Sequence, residues 1–167
     1  MLSRTMDVLA CTPGGLRLFA GLADWPADRR NVVRYVFLHP QARTLFDDWH
    51  DQIRAAVGRL RSLHSLEPAA PGLAALIDEL LGESQEFTDL WERYDVRIHT
   101  HGSKTFHHPE VGDLTPGYQK MEIEGTHTQR LVVYYAEPGT PDHDKLVLLD
   151  TMAGTGQDAA CPSAARR

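Results

Sequence analysis

The sequence predicts an α+β domain in which helices are laid over one face of a small, curved antiparallel sheet. Three observations carry that reading. Amphipathic stretches with apolar residues at three-and-four spacing fill the first half of the chain. Strand-like runs bounded by Gly or Pro crowd residues 91–141. Within them, residues 129–137 alternate, with Leu131, Val133 and Tyr135 to one side and Val132, Tyr134 and Ala136 to the other. Apolar residues on both faces predict a central strand covered twice, by core helices on one side and by a partner subunit or a bound ligand on the other.

Residues 6–11 read as a short strand, which Thr12-Pro13-Gly14-Gly15 turns into a short helix over 16–22. Pro26 suits the first turn of the next helix, where its missing N–H costs nothing. That helix runs to Leu38 and ends before Pro40, because a residue preceding proline avoids the helical region. One more short helix spans 41–46. The longest covers 48–66, with Trp49, Ile53, Val57 and Leu60 on one stripe. A Pro/Ala/Gly break at 67–72 separates it from a helix carrying Leu73, Leu76, Ile77, Leu80 and Leu81, which Gly82 stops. Ser84 caps a further helix, whose stripe is Phe87, Leu90, Trp91 and Tyr94.

Strands follow at 96–100, 103–108 and 112–124, with a turn at His101-Gly102. The third has a fault. Met121 and Ile123 alternate against Lys120, Glu122 and Glu124, but Tyr118 is out of phase with them, and Pro116-Gly117 marks a bulge or an edge. Thr140 caps a closing helix that ends near Met152. Residues 1–152 thus form one domain, and 153–167 carry too little apolar surface to order themselves.

The totals narrow the function. A net charge of −6 disfavours phosphate-backbone binding by the chain as a whole. Two cysteines, Cys11 and Cys161, make no disulfide framework. Neither a secretory signal nor an apolar run of membrane-spanning length is present, so a cytoplasmic protein without membrane contact is expected.

Catalytic chemistry finds little support. His99 and His101 have the two-residue spacing of strand-borne metal sites, with His107, His108 and His127 nearby in sequence. A metal-dependent enzyme is therefore one alternative, but no HExxH pattern or fixed third ligand accompanies the pair. There is no nucleophile elbow, no Rossmann glycine pattern and no P-loop, so neither a catalytic residue nor a cofactor is assigned. The aromatic residues say more. A cavity between the Trp49 helix and the strand at 131–135 is expected, walled by Tyr35, Trp49, Ile53, Trp91, Phe106, Tyr118, Val133 and Tyr135. Arg34, His50, His99 and Lys104 are the candidate polar anchors for an acidic or amphipathic ligand.

Five stretches then carry a family likeness: RNVVRYVFLHPQAR (30–43), SQEFTDLWERYDVRIH (84–99), GSK (102–104), HHPEVGDLT (107–115) and QRLVVYYAEPGTP (129–141). In order and spacing they resemble the ligand-binding domain of MmyB-like transcription regulators, within the XRE-type helix-turn-helix group, from about Asp7 to Leu149. The resemblance implies a PAS-like fold, an effector-sensing role and a fatty acid or similar small apolar molecule as ligand. It further implies a homodimeric regulator that meets DNA only through a helix-turn-helix domain absent from this sequence. Cys11-Thr12 stands where the family tends to have Trp-Asn, and Pro116-Gly117 interrupts a usually smooth strand. The other alternative is a module that dimerises with full-length regulators.

Overall fold

The computed structural model describes residues 1–93, 101–126 and 128–154. It is α+β. Helices α1 (Pro13–Arg17), α2 (Val32–Leu38), α3 (Ala42–Leu45), α4 (Trp49–Leu66), α5 (Leu73–Glu83) and α6 (Gln85–Glu92) precede the strands, and α7 (Pro141–Gly154) follows them. The strands are β1 (His101–Ser103), β2 (Phe106–His108), β3 (Gly112–Leu114), β4 (Gly117–Glu122) and β5 (Arg130–Tyr135). They form a three-stranded sheet in the order β1-β4-β5 and a separate β2-β3 pair, all antiparallel.

The caps explain where the helices begin. Asp48 accepts the Asp51 N–H at the start of α4, and Ser84 accepts the Phe87 N–H at the start of α6. The Thr140 hydroxyl accepts the His143 N–H at the start of α7. Asn31 is the most heavily used cap. It is buried in an extended conformation, and its side-chain oxygen accepts from the N–H groups of Val33 at 2.8 Å and Arg34 at 3.0 Å. Its amide donates in turn to the Thr5 carbonyl and to Asp7 Oδ1, each at 2.8 Å. One side chain thus ties the N-terminal segment to α2. Asn31→Ala strands these groups in the interior and is expected to lower unfolding free energy by about 2–3 kcal/mol, read as the urea midpoint. A loss below about 0.5 kcal/mol would show that the cap is dispensable.

Several expected boundaries move. The strand at 6–11 is reduced to bridges, Leu2 with Val8 and Asp7 with Asn31, because Met6 has φ of 73° and breaks the extension. The helix expected over 16–22 is α1, capped by the Thr12 hydroxyl, followed by a 3-10 turn at Leu22–Asp24. The helix expected from Pro26 is a 3-10 turn at Ala27–Arg29 and then α2, because extended Asn31 interrupts it. Gly82 lies inside α5, which runs on to Glu83, and Ser84 is the residue that leaves the helix. His101-Gly102 is strand, not turn. The runs at 103–108 and 112–124 each split, at Lys104-Thr105 and Thr115-Pro116, where the chain passes between the two sheets. The expected strand at 96–100 and the tail from 155 lie outside the described residues.

The largest correction concerns residues 130–135. Among the described residues β4 is the middle strand and β5 is an edge. Both backbone hydrogen bonds of Arg130 go to Leu2, away from β4. Alternation therefore turns the N–H and C=O of Val132 and Tyr134 the same way. The register places Tyr118 beside Tyr134, Lys120 beside Val132 and Glu122 beside Arg130 on one face of the sheet. The other face carries Met121, Leu131, Val133 and Tyr135, all exposed. Apolar residues on both sides of β5 thus mark one face on the interior and one in solvent.

The core lies between α2, α4, α5 and the sheets. Its centre is aromatic. Phe19 packs edge-on against Tyr35, Phe46, Phe106 and Tyr134, with ring centroids 5.8–6.2 Å apart.

Candidate functional site

A cavity of about 880 Å³ opens between α1, α7, the free edge of β5 and one flank of α4. Its wall is built from parts of the chain that are distant in sequence. Leu16 comes from α1 and Phe19 from the turn after it. Val33 and Val36 come from α2, and Leu146 and Val147 from α7. From α4 come Ala55 and Ala56, whose short side chains leave the space that leucines at those positions would fill. From β5 come Val132 and Tyr134, with Phe19 and Phe46 behind. Helices α1 and α7 close the opposite side, joined by the Gly14 N–H donating to Asp150 Oδ1 at 3.0 Å. Gly14 is required there, since a Cβ would sit 2.8–3.0 Å from Asp150 atoms.

One wall is charged. Arg59 of α4, Lys104 between β1 and β2, Lys120 of β4 and Arg130 of β5 all line the cavity. Lys104 Nζ lies 5.4 Å from the ring centroids of both Phe46 and Tyr118, and Lys120 Nζ lies 5.1 Å from that of Tyr118. Burial, reinforced by the neighbouring Lys120 charge, pushes the Lys104 ammonium down to about 7. Lys120 is lowered by burial and then by Arg130 and Arg59, and Arg59 is lowered by burial and then by Arg130. The four cations therefore feel one another. Glu122 meets Arg130 at 2.6 Å, and that hydrogen bond holds its carboxyl below the ordinary range.

Of the residues expected at a ligand pocket, Val133, Tyr135 and Lys104 line this cavity. The others do not. Tyr35 is fully buried and donates its hydroxyl to the Ala20 carbonyl at 2.8 Å. Trp49 donates Nε1 to the Val36 carbonyl at 2.8 Å under the Arg43 guanidinium, and Ile53 follows it on the buried stripe of α4. Phe106 and Tyr118 sit one layer behind, against Tyr134 at 5.6 and 6.3 Å. Trp91 stacks on Phe87, remote from the cavity walls. These large rings fill space because their apolar area is worth most when fully covered.

Among the expected anchors, Arg34 forks onto Glu79 at 2.7–3.1 Å and joins α2 to α5. His50 is exposed beside Trp49, and His99 lies outside the described residues. His107 spans Asp113 and Asp47 at 2.8 and 3.0 Å, and His108 is buried against the Arg17 carbonyl at 2.9 Å. Among the described residues no group of three or more His, Cys, Asp or Glu could hold a metal, and no helix is long and apolar enough to cross a membrane.

Arg59, Lys120 and Arg130 were not among the expected anchors, although one signal pointed to Lys120. Tyr118, out of phase with Met121, shares its strand face with Lys120, and that face is the inner one.

The family model described as MmyB-like transcription regulator ligand binding domain matches residues 1–149. No curated protein matches the chain.

Proposed function

Because this chain belongs to the MmyB-like transcription regulator ligand-binding domains, we propose that its cavity receives the regulator's effector, a small and largely apolar molecule of the fatty-acid kind. The single observation that carries the reading is the cavity of about 880 Å³ with aliphatic and aromatic walls. Its size falls in the range of roughly 300–1,000 Å³ typical of small-molecule sites. The walls come from α1, β5 and α7 together, so filling the space alters how these elements pack. A ligand that prefers one arrangement shifts the population toward it, and a DNA-binding unit coupled to the domain responds to that shift.

Thermal unfolding with and without tetradecanoic acid tests the reading. Saturation near 100 times Kd adds about 2.7 kcal/mol to stability, which raises the midpoint by several degrees. Ala56→Trp, which puts a ring into the cavity, should abolish the rise. An unchanged midpoint across acids of differing chain length, with no bound lipid in native mass spectrometry of the purified protein, would sink the proposal.

A further inference from the structure

We propose that the free edge of β5 is a strand-accepting site, where a short, extended, apolar peptide pairs antiparallel with Val132 and Tyr134 inside the cavity. Such a guest is separate from the lipid effector proposed above, although both would fill the same space.

A strand edge carries a row of unpaired N–H and C=O groups, which proteins ordinarily cover or blunt with charges and prolines. Residues 131–135 of β5 hold neither a charge nor a proline. The cover is partial as well. Leu2 accepts the Arg130 N–H at 2.9 Å and donates to the Arg130 carbonyl at 2.7 Å. That bridge is antiparallel, so the edge already receives one piece of chain in this sense. The next outward-facing groups along the same edge belong to Val132 and Tyr134. Among the described residues no hydrogen bond reaches the N–H or C=O of either. Both residues line the cavity, across from Leu146 and Val147 of α7.

The edge is stopped at both ends. Met1 and Leu2 stand at one, and beyond Tyr135 the chain turns through residues 136–140 into α7. At about 3.4 Å per residue, a peptide of about four residues fits opposite 132–135. A volume of about 880 Å³ suits a molecule of that size. The stops favour a free short peptide over a strand of a folded partner or a second copy of this chain. Antiparallel pairing fixes the rest. The second and fourth peptide residues exchange N–H and C=O with Tyr134 and Val132. Their side chains then join those two on the inner face, where Phe46, Ala55 and Ala56 line the cavity. The first and third stand beside exposed Tyr135 and Val133. Main-chain hydrogen bonds thus supply affinity, and the site selects apolar side chains at alternate positions.

Calorimetric titration of the full chain with acetyl-Thr-Val-Thr-Val-amide and its four singly N-methylated forms provides the test. Methylation at the second or fourth residue removes a donor that faces β5 and is expected to weaken binding about tenfold or more. Methylation at the first or third, whose N–H points away, should change it less than about threefold. The parent peptide should also slow amide hydrogen exchange at Val132 and Tyr134 about tenfold, and leave Val133, paired with Gln119 of β4, unchanged. An equal response to all four methyl groups, or no slowing at Val132 and Tyr134, overturns the strand pairing. So does failure of the parent and of its leucine and isoleucine analogues to bind. Peptide binding with no thermal response to fatty acids leaves the strand site standing and removes the lipid effector. A fatty-acid response without peptide binding does the reverse.

Discussion

Replacing Phe106 by alanine is expected to lower the unfolding free energy by about 3–5 kcal/mol. The ring is completely buried. It lies 5.4 Å from Phe46, 5.6 Å from Tyr134 and 6.2 Å from Phe19, measured between centroids. Its backbone bridges to Phe46, and it stands opposite Leu114 in the β2-β3 pair. Phe106 therefore joins the helical layer, the small hairpin and the main sheet at one point. Truncation removes the transfer energy of the ring and leaves a hole whose neighbours are held by three different elements, so little collapse is available to refill it. Phe19, Phe46 and Tyr134 also line the cavity, so the same substitution should weaken ligand binding by loosening that wall. Urea unfolding gives the first effect as a lower midpoint at unchanged slope. A loss smaller than about 1 kcal/mol would mean that this junction can repack, which the geometry argues against.

The helical half was legible because its signals are local. The Trp49-Ile53-Val57-Leu60 stripe gives α4 its period, and Asp48, Ser84 and Thr140 each cap a helix within three residues of themselves. The α+β class and the family likeness followed from such local runs in their order. What was hidden depends on contacts distant in sequence. Nothing near Gly14 announces Asp150, yet that pairing closes one side of the cavity. The edge position of β5 depends on Leu2 pairing with Arg130 and on the strand order, neither of which alternation encodes. The expectation that large aromatics wall the cavity failed for Tyr35, Trp49 and Trp91, because size favours full burial and space is left by small residues such as Ala55 and Ala56. The charged wall was hidden for a further reason. Lysine alternating with an apolar Met121 on a strand reads as the solvent face, and at Lys120 that rule gives the wrong side, with Met121 exposed instead.

The unliganded domain is expected to become more stable as pH rises from about 7 to 9.5, against the usual decline on the alkaline side. The sign follows from Lys104. Its ordinary value is 10.5, and in the fold it is pushed down to about 7. Between those values the unfolded chain holds a proton that the folded chain has released, so each step up in pH favours the fold. Below about 7 both states are protonated, and the folded state carries the full penalty of a buried ammonium. Lys120 of β4 is the charge that acts on Lys104, the Tyr118 ring lies 5.4 Å from its Nζ, and Arg130 of β5 and Arg59 of α4 act in turn on Lys120. Lys120 is lowered and adds to the same slope. Tyr118 and Tyr134 are raised by burial and act in the opposite direction near and above their ordinary value of 10, which sets the upper limit of the window. The slope for Lys104 alone approaches at most about 1.4 kcal/mol per pH unit. Urea midpoints at pH 6.5, 8 and 9.5 measure it, and Lys104→Met should raise the lowest of these and flatten the series. Midpoints of the wild-type protein that are level or falling across that window would mean that the Lys104 ammonium is solvated in the fold.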